Sequence, residues 1–234
     1  MEKPRSKIGF LQIIISTLAT ILVFLAITMV LGGDWHWIEG WIFVIWISVM
    51  VIILLSYLYF KDPALLNERA QAPGSKNQKP WDKYLLIFFY ICTLVWSIIM
   101  PLDAKRFSWS PIFPIWIKII GGLILLPALY FLIMPTIENT YLSALVRIQD
   151  DRKQQVISTG VYSFVRHPLY FGYILMMFGA PLLLGSVFGI IIAIIGLMAI
   201  MLRIIGEERM LSSELEGYEE YKKKVKYHLL KYIW

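Results

Sequence analysis

The sequence predicts an all-α, polytopic membrane protein of about six transmembrane helices, the last two forming a helical hairpin, with a cytosolic C-terminal helix. Three observations carry this expectation. First, apolar residues make up 59% of the 234 positions and charged residues only 16%, against roughly a quarter charged in soluble domains; mean hydropathy is +0.68. Second, the charges are segregated, leaving long uncharged runs. Third, Lys and Arg concentrate in alternate connections. Such a composition excludes a disordered chain and argues against a water-soluble globule.

Taken in order, 26 uncharged residues separate Lys7 from Asp34, 21 separate Glu39 from Lys61, and 19 separate Lys83 from Asp103. A fourth run covers Ile119–Ile137. Each is close to the roughly 20 residues that one membrane-crossing helix needs. The first run is too long for the apolar core of a cleavable leader and is expected to stay as an anchor. The fifth run, Pro168–Leu202, has 35 residues and as one helix would reach about 52 Å. Gly179, Pro181, Gly185 and Ser186 lie near its middle and favour a turn. It therefore divides into spans near Pro168–Leu184 and Val187–Ile205. The domain boundary is expected at 135/136: a four-span bundle over 1–135, then a core over 136–234 holding the polar segment, the hairpin and the tail.

Six spans place both termini on one side together with segments 61–83 and 136–167. That side carries 19 of the 22 Lys and Arg residues, leaving Lys105, Arg106 and Lys118 on the other. By the positive-inside rule both termini are expected in the cytosol, in the plasma membrane of a prokaryote or the endoplasmic reticulum of a eukaryote. Topology thus accounts for the net charge of +6, and no nucleic-acid partner is expected. Trp35, Trp37 and Trp41 in the short outer loop suit the headgroup belt. Segment Lys61–Lys83, with Pro63, Pro73, Gly74 and Pro80, reads as a connector with one helical turn at Ala64–Ala70. Leu211, Leu215, Tyr218 and Val225 recur at near-helical spacing in the tail. The lone Cys92 and the scattered His36, His167 and His228 lack metal-ligand spacing, so no metal is expected.

A hairpin returns its ends to one membrane face, so Arg166 and His167 at its entrance must approach Arg203, Glu207 and Glu208 at its exit. Arg203 and Glu207, four residues apart, share a helix face. Ionisable residues at membrane depth usually mark function; these border the headgroup layer, which weakens that inference, and Arg166 and Arg203 also fit a plainer role as snorkelling anchors.

The stretch Gly160-Val161-Tyr162-Ser163-Phe164-Val165-Arg166-His167-Pro168-Leu169-Tyr170 resembles the G-x-Y-x-x-x-R-H-P-x-Y signature of the isoprenylcysteine carboxyl methyltransferase family. Glu207-Glu208-x-x-Leu211 and Tyr218-Glu219-Glu220-Tyr221-Lys222 continue the pattern, and Asn139–Gln149 with Val156–Ile157 fit its approach segment. The resemblance covers about 139–234; Trp81-Asp82-Lys83 is a fainter echo. It implies an S-adenosylmethionine-dependent enzyme with its cofactor site on the cytosolic side. Carried onto matching positions, the cofactor contacts are Gln149, Gln154, Gln155, Val156, Ile157, Tyr162, His167, Pro168, Leu169, Tyr170 and Glu207. Gln154 stands where some members have histidine. Arg203 falls where the family holds the substrate.

The residue chemistry agrees with that implication. Tyr162 and Tyr170 offer aromatic faces, the 155–157 backbone offers hydrogen bonds, and Glu207 accepts from hydroxyl or ammonium donors. His167 is a candidate donor to a carboxylate, and Pro168 suits the first turn of a helix. A carboxylate acceptor gripped by Arg203 needs no general base, whereas an amine needs one, with Glu208 or His167 as candidates. The expected partner is a lipophilic small molecule or prenylated substrate, in contact with membrane lipids. Alternatives are N-methylation of a phospholipid or other amine, an NADPH-dependent sterol-reductase-like reaction suggested by Tyr232-Ile233-Trp234, and a non-catalytic scaffold.

Overall fold

The computed structural model describes residues 8–232 and 234; Lys3, Arg5 and Lys7 of the basic inner set, and Ile233, lie outside the described residues. The regular secondary structure of the described residues is entirely helical. Helix α1 (Phe10–Leu25) continues through a wider turn at Ala26–Val30, α2 spans Ile38–Phe60 and the short α3 spans Pro63–Arg69. Helix α4 (Pro80–Pro101) widens at Leu102–Arg106, and α5 covers Ile115–Glu138. Single 3-10 turns at Asp150–Arg152 and Gly160–Ser163 punctuate the polar segment. Then come α6 (Pro168–Leu184), α7 (Val187–Glu214) and α8 (Tyr218–Lys224). Five of these helices are long and apolar enough to cross a membrane; α6, at 17 residues, is shorter and equally apolar.

The hairpin turn forms as the sequence predicts. Gly185 takes φ +87°, a left-handed conformation that disfavours any residue with a Cβ. The amides of Gly185 and Ser186 both donate to the Pro181 carbonyl. Ser186 then caps α7, its Oγ accepting from the Gly189 amide at 2.9 Å. Asp103, fully buried at the end of α4, accepts from Ser186 Oγ at 2.6 Å and Ser110 Oγ at 2.7 Å. The hairpin tip is thus fastened to the third span.

Helix α6 packs against α5 at backbone contact. A Cβ at Gly121 would stand 2.3 Å from the Leu183 nitrogen, and one at Gly172 would stand 2.7 Å from the Phe131 carbonyl carbon. Small residues permit such approach where water supplies no hydrophobic drive between helices. The main core joins α2, α4, α5 and α6 through Phe43, Trp46, Trp96, Met100, Leu125, Leu132, Met176 and Leu183. Two indoles bridge helices within it: Trp46 Nε1 donates to the Leu125 carbonyl at 2.9 Å and Trp96 Nε1 to that of Met177 at 3.2 Å.

Three local expectations change. Trp35 and Trp41 are exposed, but Trp37 is 4% exposed; its ring fills the space left by Gly32 and Gly40, so it belongs to the core and not to the belt. Helix α7 runs to Glu214 instead of ending near Ile205, because Glu207 and Glu208 find hydrogen-bond donors there. The connector's helical turn is a capped helix, α3, with Asp62 Oδ1 accepting from the Leu65 amide at 2.9 Å and Pro63 at its first position.

Candidate functional site

The ends of α2 and α5, the starts of α4 and α6 and the last third of α7 lie at one end of the bundle. Between them is a cavity of about 240 Å³. One wall is polar and aromatic: Gln149, Gln154, Gln155, Val156, Ile157 and Tyr162 from the 139–167 segment, His167, Pro168, Leu169 and Tyr170 from the start of α6, and Arg203 and Glu207 from α7. The facing wall is apolar, from Leu85, Leu86, Phe89 and Tyr90 of α4, Tyr173 of α6, and Ala199 and Ile200 of α7. Both segments flanking the 135/136 boundary therefore build the cavity.

Each polar residue has a defined attachment. Gln149, 1% exposed, accepts from Arg152 Nη1 at 2.8 Å, donates to the Tyr141 carbonyl at 2.6 Å and gives its backbone N–H to Gln154 Oε1 at 2.9 Å. This knot folds residues 149–154 back on themselves. The following amides of Gln155, Val156 and Ile157 make no hydrogen bond among the described residues and run as irregular backbone along the cavity. Tyr170 donates to Glu207 Oε2 at 2.7 Å, and the Arg203 guanidinium lies 5.9 Å from the Tyr170 ring centroid. Burial raises the Tyr162 hydroxyl pKa well above its usual range, so it stays a neutral donor.

Glu208 differs from its neighbour. It does not line the cavity; its Oε1 accepts from Arg166 Nε at 2.7 Å and from Tyr218 at 2.9 Å, and meets His167 Nε2 at 2.8 Å. Arg166 also donates to the Val225 carbonyl at 2.7 Å and meets His228 Nε2 at 2.7 Å. The amides of Arg166 and His167 donate to the Tyr227 and His228 carbonyls. Glu208 thus sits at the centre of a clasp that ties the hairpin's entrance, its exit and the tail together. Burial and then the Arg166 charge push the His228 pKa down, and proximity to Glu208 only partly opposes this.

Two buried carboxylates stand outside the residues that the sequence marks for chemistry. Asp82, fully buried at the start of α4, accepts from Arg203 Nε at 2.7 Å, Gln78 Nε2 at 2.7 Å and the Val146 amide at 2.8 Å. Glu68 of α3 receives Arg147 through two bonds of 2.9 and 3.1 Å, Ser143 Oγ at 3.1 Å, and Lys76. Burial raises its pKa, but hydrogen bonds from Arg147 and Lys76 outweigh burial and hold it down to about 2. The faint Trp81-Asp82-Lys83 echo is the one signal for Asp82. Glu68 and the cavity-lining Arg69 have none, because their partners in the 142–147 segment are more than 70 residues away.

Comparison with known families decides the class. The family model described as phospholipid methyltransferase matches residues 117–216, from the first turn of α5 past the end of α7. Over this segment, less than half of the chain, the sequence is similar to that family. The family lies within the isoprenylcysteine carboxyl methyltransferase-like group of integral-membrane methyltransferases. No curated relative matches the chain. The methyltransferase segment contains the whole polar wall, both hairpin helices, and Arg203, Glu207 and Glu208. Outside it lie α4, with its four residues of the apolar wall and Asp82, and α8, with Tyr218 and Tyr221.

Proposed function

We propose that this membrane methyltransferase moves the methyl group of S-adenosylmethionine to a lipophilic acceptor, with the donor in the polar wall and the acceptor's chain along α4. The observation that carries the reading is one cavity that joins a polar, aromatic face from the family segment to an apolar face from the spans. The residues fit the donor. Glu207, whose only protein partner among the described residues is the Tyr170 hydroxyl, is an acceptor for ribose or ammonium hydrogens. The amides of 155–157 are unspent donors for the edge of a purine, and Tyr162 and Tyr170 offer ring faces. Bound there, S-adenosylmethionine supplies a methyl on a sulfonium, open to in-line displacement.

The chain's own residues supply alignment and exclusion of water. Arg203 is oriented by Asp82 and by the Ala144 carbonyl; its Nη1 has no protein acceptor among the described residues, which leaves that edge for substrate. We retain the carboxylate of an isoprenylcysteine-like acceptor as the finer reading, since it needs one oriented guanidinium and no base. An amine acceptor is the second reading, favoured by the description of the matching family. Glu208, held through Oε1 by Arg166, Tyr218 and His167 and absent from the cavity lining, is a positioning residue on this account and not a base. The 136–234 segment supplies the donor side and, through Tyr173, Ala199 and Ile200, part of the acceptor's wall; 1–135 supplies the rest of that wall from α4. Both termini face the cytosol in this proposal, so an impermeant thiol reagent labels a cysteine introduced at Asp34 in intact cells and leaves one at Glu216 unlabelled.

The deciding experiment incubates purified protein and S-adenosylmethionine with prenylcysteine, fatty acid, phosphatidylethanolamine and alkylamine acceptors and identifies products by mass. A methyl ester on prenylcysteine supports the carboxylate reading and N-methylation of an amine supports the second. Reduction by NADPH, or no methylated product alongside absent donor binding, overturns both.

A further inference from the structure

Four arginines line the cavity: Arg69, Arg147, Arg166 and Arg203. Three are neutralised, Arg147 by Glu68 and Asp151, Arg166 by Glu208, and Arg203 by Asp82. Arg69 differs. Among the described residues its only side-chain bond is from Nη1 to the Leu142 carbonyl at 3.3 Å, and no carboxylate lies within ion-pair distance. A half-buried guanidinium held in a cavity wall without a counter-ion is an anion site awaiting its ligand.

It reaches the cavity shared with the donor wall from a different element. Arg69 closes α3, whose Leu65 and Leu66 pack with Ile13 and Leu58, and with Leu142 at the edge of that cluster. The donor side rests on a different cluster, in which Met210, Leu211, Tyr218 and Tyr221 support Val156. Arg69 also follows the end of a span and shares the cavity with Leu85, Phe89 and Tyr90 of α4. A cation at span-end level beside an apolar wall matches an amphiphile, with its chain on the wall and its oxyanion on the guanidinium.

Resting on the donor assignment above, we propose that Arg69 joins Arg203 as a second anchor for an anionic head group of the acceptor, a phosphate or a carboxylate. Part of the site's specificity then lies in the N-terminal segment, outside the family match, while the donor lies within it.

The test uses the full chain in a neutral maltoside detergent and compares Arg69→Ala and Arg69→Lys with the parent. S-adenosylmethionine affinity is measured first; it stays within about twofold in both variants, which also shows that they are folded. Binding isotherms and initial rates then follow for lysophosphatidylethanolamine, for prenylcysteine and for dodecylamine, which carries no anion. The proposal expects Arg69→Ala to weaken one or both anionic acceptors about tenfold, Arg69→Lys to recover part of this, and dodecylamine to be unaffected. A change confined to lysophosphatidylethanolamine identifies phosphate, and one confined to prenylcysteine identifies carboxylate. Equal effects on dodecylamine, no effect on any acceptor, or a tenfold loss of donor affinity overturns it. Failure of the parent to bind S-adenosylmethionine is the separate failure of the proposed function.

Discussion

At Glu208 one carboxylate oxygen gathers Arg166, His167 and Tyr218, residues that sequence order scatters over 52 positions. Breaking a buried pair by removing one partner strands the other charge, at a cost of about 3–5 kcal/mol. Glu208→Gln is therefore expected to lose about 3 kcal/mol of stability in denaturant titrations in detergent, with donor affinity in the surviving folded fraction changed less than about threefold. A large loss of donor affinity without loss of stability would restore Glu208 to the cavity chemistry. The contrast with Glu207 is not legible in the sequence. Adjacent helical residues point about 100° apart, and which of the two faces the cavity depends on where α6 and the tail pack. The residues from Gln149 to Tyr170 are legible, because a contiguous motif and the hairpin's forced return place them together. Asp82, Glu68 and Arg69 act through partners 60 or more positions away, which no local pattern announces.

The elements show the same division. Helices α1, α2 and α4 to α7 are legible because an uncharged run and its flanking charges mark each span, and the turn at Gly185-Ser186 is legible because its residues suit a left-handed cap and a serine N-cap. The extension of α7 is not, since it depends on donors supplied by α6 and the tail. The connector 61–79 shows in sequence a turn-rich pattern with one helical turn, which α3 bears out, but not that α3 reaches the cavity and is clasped to 139–152 by Glu68. That clasp gives a pH dependence whose sign is fixed. The Glu68 pKa lies below its unfolded value, so the native state favours the ionised carboxylate; its stabilisation is complete above about 4.5 and is lost as pH falls from there toward about 2. Limited proteolysis within 70–79 is expected to accelerate over that interval in the parent. In Glu68→Gln it should be fast already at neutral pH and lack that acid-dependent step. Cleavage of the parent that is indifferent to pH between about 5 and about 2 would contradict the clasp.

Across the whole molecule, the proposed function requires the two halves of the cavity to face two solvents. The polar wall is built from the connector-rich end of the bundle, the side to which the sequence reading assigns 19 of the 22 Lys and Arg residues, and the apolar wall comes from the apolar helices. A water-soluble donor and a lipid-soluble acceptor can meet there without either leaving its phase, and the Arg203–Asp82 pair ties the donor helix α7 to the acceptor helix α4 at their junction. All of this requires the polar wall to be a donor site organised by Glu207. The most direct measurement is the dissociation constant of S-adenosylmethionine for the purified parent and for Glu207→Gln, by isothermal titration in detergent. The expected result is saturable one-site binding by the parent and at least about tenfold weaker binding by the variant with its thermal unfolding unchanged. Equal affinity in the two proteins, or no binding by a folded parent, would contradict it.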